Sequence, residues 1–140
     1  MTNLNAPLLL VARILLSFMF IQAGFGKLGD IQGTMAYTAS GGLPGFMAFP
    51  AIAIEALGGL AILVGFQTRW AALALAVFCV VAAYFFHYLP AQGLEGMERM
   101  GQMINFAKNL TIAGGFLTLI ASGPGALSVD AYLGRNRGLA

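Results

Sequence analysis

Four runs of about twenty apolar residues, none with a sustained polar stripe, leave this chain few ways to fold. They extend from about Pro7 to Gly26, Phe46 to Phe66, Trp70 to Leu89 and Met103 to Ser122. Each matches the roughly 20 residues that an α-helix needs to cross hydrocarbon. The third carries no charge from Trp70 to Phe86, whereas a helix in a soluble bundle keeps one polar face. Charged residues make up 9% of the 140-residue chain and hydrophobic residues 59%. Soluble domains carry about 25% charged residues, and a domain this small cannot hide so much apolar surface from water. The expectation is an all-α, transmembrane four-helix bundle, a single domain solvated by the lipid bilayer. The first run has no basic residue before it and is of spanning length, so it reads as a retained helix rather than a signal peptide.

The connectors differ in character. Gln67 to Arg69 is a tight link, which makes the second and third helices an antiparallel hairpin. Lys27 to Gly45 is glycine-rich, with room for a short helix over Ile31–Ala39 before the breaker Gly41-Gly42-Leu43-Pro44. Pro90 to Gln102 carries Glu95 and Arg99 at helix-supporting i,i+4 spacing. Gly123-Pro124-Gly125 stops the fourth helix, and the tail from Ala126 is polar and expected to be loosely ordered. Basic residues flanking the spans set orientation. Arg69, Arg135 and Arg137, with Arg13 nearby, share one side, and Lys27, Arg99 and Lys108 the other. This slight bias places the N- and C-termini in the cytoplasm.

Several chemistries are excluded. A net charge of +2 from seven Lys and Arg residues, with no basic stripe, gives nucleic acid nothing to bind. Cys79 and His87 are the single residues of their kinds. No intrachain disulfide, C-x-x-C relay, bis-histidine haem or Cys/His metal cluster can be built from them, so no metal or haem is expected.

Ionisable groups inside spans are costly and become functional candidates. At about 1.5 Å per residue, Glu55 lies about 13 Å below the outer surface, Lys108 about 7 Å, His87 about 3 Å and Lys27 at the rim. Gln22, Tyr84 and Asn109 fall in the same zone, and Tyr84 and His87, three residues apart, share a face of a regular helix. An unpaired carboxylate in hydrocarbon is untenable, so Glu55 calls for a cation. Lys108 is the first candidate and Arg13, entering from the inner side, the second. The competing readings are an ion pair that only fixes the bundle, an Arg13 that snorkels to the interface, and Lys27 and His87 as interfacial residues. Small-residue ladders, Ala61-x-x-x-Gly65 and Gly114-x-x-x-Thr118-x-x-x-Ser122, suit packing within one subunit and leave a homo-oligomer open. The run Tyr84-Phe85-Phe86-His87-Tyr88 suits an aromatic belt or the wall of a flat ligand's pocket.

Ala12-Arg13-Ile14 with Gly24-Phe25-Gly26-Lys27-Leu28, Glu55-x-x-Gly58-Gly59-x-x-x-Leu63-x-Gly65 with Thr68-Arg69, and Met103-Ile104-Asn105-Phe106-x-Lys108-Asn109-Leu110 with Gly114-Gly115 and Gly123-Pro124-Gly125 occur in this order across the chain. In this arrangement the sequence resembles the DoxX family of small four-helix bacterial inner-membrane proteins. The resemblance implies a multi-pass protein of the inner membrane. It also implies an association with quinone-linked redox systems, since the family takes its name from a subunit associated with a terminal quinol oxidase. The expected ligand is a quinone held by Glu55 and Lys108, with His87 or Tyr84 as proton donor, and Asn109, Lys27 and Gln22 nearby. The expected partner is a membrane or periplasmic redox protein. Two other readings stand beside it: a ligand-free structural or assembly partner, and a small-solute permease, against which the lack of inverted repeats and broken helices counts.

Overall fold

The computed structural model describes residues 4–136, with side chains to residue 134. Arg137 and the side chain of Arg135, used above for orientation, lie outside the described residues. Every regular element among the described residues is helical. Four helices are long and apolar enough to span a membrane: α1 (Asn5–Leu28), α3 (Gly45–Val64, opening with a 3-10 turn), α4 (Thr68–Ala91) and α5 (Gly96–Ser122). Among the described residues two short helices complete the fold, α2 (Ile31–Ser40) and α6 (Val129–Asn136).

α1 packs most extensively on α3 and α4 on α5, while α1 meets α5 only weakly. The tight α1–α3 pairing has a local cause. A Cβ on Gly24 would lie 2.5 Å from the backbone nitrogen of Ala56, and one on Gly59 would lie 3.0 Å from that of Ile21. Small residues let the two backbones touch, the usual basis of helix association in lipid. The buried core joins Phe20, Ile62, Leu75, Cys79 and Phe116, where Phe20 meets Phe116 at 5.4 Å between ring centroids.

α1 ends with Gly29, and Asp30 caps α2 by accepting from the Gly33 N–H at 2.9 Å. α2 is then tied to α4 by Tyr37 stacked on Phe86, 5.0 Å apart.

α4 continues through Pro90 to Ala91, past the expected stop at Leu89. Proline removes one backbone donor and its ring clashes with the carbonyl four residues back. The chain relieves that clash with a π-helical turn over Tyr84–Tyr88, in which the Leu89 N–H reaches the carbonyl of Tyr84. α5 also begins earlier than expected, with Glu95 as its extended N-cap.

The described part of the tail, to residue 136, is ordered where looseness was expected. Asp130 on α6 accepts from the N–H of Gln67 at 2.8 Å and from the N–H and hydroxyl of Thr68 at 2.9 Å each. Its own N–H donates to the Gly65 carbonyl at 2.9 Å. One carboxylate thus caps α4 and clamps the α3–α4 turn, where Gly65 and Gln67 both adopt positive φ, 72° and 45°.

Candidate functional site

The charged groups inside the bundle separate into two places. At its base, Arg13 is 1% exposed. Its Nη2 donates to the Leu127 carbonyl, and the guanidinium interacts electrostatically with Asp130. Nη1 presses on the backbone of Gly65, where a Cβ would fall 1.9 Å away. Arg13 therefore neither pairs with Glu55 nor snorkels to the interface. It holds the tail against the hairpin.

Glu55 lies near the middle of α3, about 15 Å from Gly45 and about 13 Å from Val64 by helical rise. Its carboxylate is 5% exposed and is paired with Lys27, whose side chain is 30% exposed. Lys27 sits in the last turn of α1, where a cation is favoured by the helix dipole. The expected partner Lys108 is corrected to Lys27, and Lys27 is not at the rim. The physical reason is register. Contact of Gly24 with Ala56 draws the end of α1 deep into the bundle, and α2 continues from there.

Beside this pair lies a groove of about 650 Å³, within the usual range for small-molecule sites. Lys27, Glu55, Thr34, Thr38, His87 and Asn109 supply its polar part. The rest is apolar, with Ile54 from α3 and Trp70, Leu73, Val77 and Val81 from α4. Trp70 is 71% exposed and Val77 55%, so the groove opens sideways to lipid. Trp70 and Phe86, both lining it, stand about 24 Å apart along α4. It is a long, mostly apolar groove with its polar side chains gathered toward one end.

Of the remaining candidates, His87 lines the groove with its Nδ1 2.8 Å from Oε1 of Gln102. Asn109 lines it while its Nδ2 donates to the Asn105 carbonyl at 3.0 Å. Tyr84 does not join them. It stacks on Tyr88 at 5.7 Å, because the wider π turn breaks the shared face that a regular α-helix would give residues 84 and 87. Gln22 and Lys108 are exposed and line no part of the groove. Sequence reasoning missed Thr34, Tyr37 and Thr38 on α2, and Trp70. The single tryptophan stands at a span's start, where its sequence position marks only a boundary.

The DoxX family model matches residues 8–88. The inner membrane protein YqjF of Escherichia coli (strain K12) is 47% identical over 126 residues, covering 90% of this chain and 92% of YqjF. The inner membrane protein YphA of the same organism is 38% identical over 125 residues, 88% of each chain. A protein named "Putative oxidoreductase CatD" from Bacillus subtilis (strain 168) is 37% identical over 60 residues, 43% of this chain and 45% of CatD. No solved structure matches. Four spanning helices and relatives named for the inner membrane make this a multi-pass protein of the bacterial inner membrane.

Proposed function

The chain belongs to the DoxX family, and from that premise we propose that it binds a quinone-like amphiphile in the α3–α4 groove as a small membrane subunit of a redox system. The observation that carries this reading is the Lys27–Glu55 pair set into the wall of a long, lipid-open groove. A quinone has a flat head with two carbonyl acceptors and an extended apolar tail. Lys27 donates to a carbonyl, and Glu55 holds the ammonium in place and accepts from the hydroxyl of the reduced form. Thr34 and Thr38, whose hydroxyls already donate to the Asp30 and Thr34 carbonyls, and His87, whose Nδ1 faces the Gln102 amide oxygen, offer acceptor lone pairs to the hydroxyls of the reduced form at the same end, and the apolar wall that includes Ile54 and Trp70 takes the tail. The name of the CatD relative supports a redox setting. Electron transfer itself is assigned to a partner, a membrane or periplasmic redox protein. In this reading both chain ends face the cytoplasm, and the polar end of the groove lies toward the periplasm.

The test uses Trp70, the only tryptophan. Quinones quench indole fluorescence, and Trp70 lines the groove. Titrating a long-tailed quinone into the protein in lipid nanodiscs should give saturable quenching, weakened by Glu55→Gln and by Lys27→Met. Quenching that rises linearly without saturation, and is equal in the variants, removes the reading.

A further inference from the structure

His87 stands where two cavities meet. It lines the lipid-open groove. Gln102, whose Oε1 lies 2.8 Å from Nδ1 of His87, lines a second recess of about 370 Å³ on α5. That recess also takes in Glu98, Gly101 and Asn105. Glu98 and Arg99 are exposed in the first turn of α5, and charges there belong at the membrane–water boundary rather than in hydrocarbon. The recess therefore faces water, and the His87–Gln102 bond forms part of the wall between it and the groove.

This bond has a chemical consequence. An amide oxygen only accepts, so Nδ1 carries the proton of the neutral ring and Nε2 keeps a lone pair. Free histidine prefers the opposite form. The π-helical turn that carries the ring, Tyr84–Tyr88, packs against α5, and such turns recur at functional sites. The other titratable groups around the ring are Lys27 from α1, Glu55 from α3 and Tyr37 from α2 in the groove, Tyr88 in its own turn, and Glu98 of α5 on the recess side. Lys27 and Glu55 are bonded to each other and Tyr37 is stacked on Phe86. His87 is thus the base of the groove that has a side-chain link to the recess.

Resting on the quinone reading above, we infer that His87 is the proton exit of the groove and Gln102 its positioning residue. Oxidation of a bound quinol sends two electrons to the acceptor centre of the redox partner and releases two protons. One hydroxyl gives its proton to Nε2, and the imidazolium loses its Nδ1 proton on the Gln102 side, into the recess. The other hydroxyl gives its proton to the Glu55 carboxylate. Exchange with water at the recess returns the ring to the Nδ1–H form.

His87 is the only histidine, so ring nitrogen-15 signals from untagged, histidine-labelled protein in nanodiscs belong to it alone. They should show the Nδ1–H form in the parent and the Nε2–H form in Gln102→Leu. Gly101→Phe fills the recess at a position where a Cβ meets nothing within 4 Å. It should unfold no earlier than the parent and slow exchange of the ring proton with solvent severalfold. In the Trp70 titration a long-tailed quinone should bind about tenfold more tightly at pH 5 than at pH 8, since only the imidazolium offers its carbonyl an Nε2–H donor. The quinol, as competitor, should show the opposite trend, and both trends should be lost in His87→Phe. An Nε2–H ring in the parent overturns the inference, as does exchange untouched by Gly101→Phe. So do trends of the same sign, no trend, or trends that survive His87→Phe; saturable, Glu55-dependent quenching would in those cases keep the quinone reading in place. Absence of saturable quenching removes that reading and the inference with it.

Discussion

The base of the bundle and its upper half solve the same problem, a charge inside a membrane, in opposite ways. At the base, Arg13, Gly65, Leu127 and Asp130 close on one another: Nη2 of Arg13 donates to Leu127 and Asp130 clamps the hairpin, while Nε and Nη1 of Arg13 are walled in without a hydrogen-bond partner. In the upper half, Glu55 meets a single cation, Lys27, and the pair faces a groove. The base spends its charges on holding three chain segments in register. The upper half leaves donors directed at space that a ligand can enter. Closure against openness, rather than the presence of charge, separates a structural cluster from a candidate site.

The sharpest way to break this contrast is at Gly65. Gly65→Val adds side-chain bulk where φ is 72° and where even a Cβ would overlap Arg13, so we expect a loss of about 3 kcal/mol or more, read by thermal unfolding in detergent. Quinone binding should fall only as far as the folded fraction does. Asp130→Ala removes three accepted hydrogen bonds and should cost about 2 kcal/mol, with faster hydrogen exchange confined to the 65–68 turn and α6. Glu55→Gln should cost less, about 1 kcal/mol, because Lys27 is partly exposed and can turn outward. Its ligand affinity should nevertheless drop about tenfold, the equivalent of one charged hydrogen bond. Val77→Phe, on an exposed wall of the groove, should change stability by no more than about 0.5 kcal/mol while weakening quinone binding in the same nanodisc titration, which keeps Trp70 as its one indole. If Glu55→Gln matched Asp130→Ala in instability with binding intact, the upper pair would be another structural clamp.

The spans were legible because hydrocarbon imposes long apolar runs that sequence displays directly. α2 was legible too, from the apolar stretch ahead of a glycine–proline breaker. The partner of Glu55 was not. Ranking residues by depth assumes that helices start level, whereas the Gly24–Ala56 contact slides α1 along α3 and delivers Lys27 in place of Lys108. The pairing of Tyr84 with His87 rested on a regular helix, and Pro90 undid that regularity. Asp130 was invisible as a clamp because its bonds span more than sixty residues, a distance no local pattern encodes.

The most direct measurement is photo-crosslinking of a long-tailed quinone analogue to the intact protein in nanodiscs, with the labelled residues located by mass spectrometry. The account predicts labelling on Ile54, Val77 and their groove neighbours, removed by excess unlabelled quinone and by Glu55→Gln, with none on residues 125–130. Labelling that resists competition and spreads over the lipid-facing Leu15 and Phe18 of α1 would contradict it.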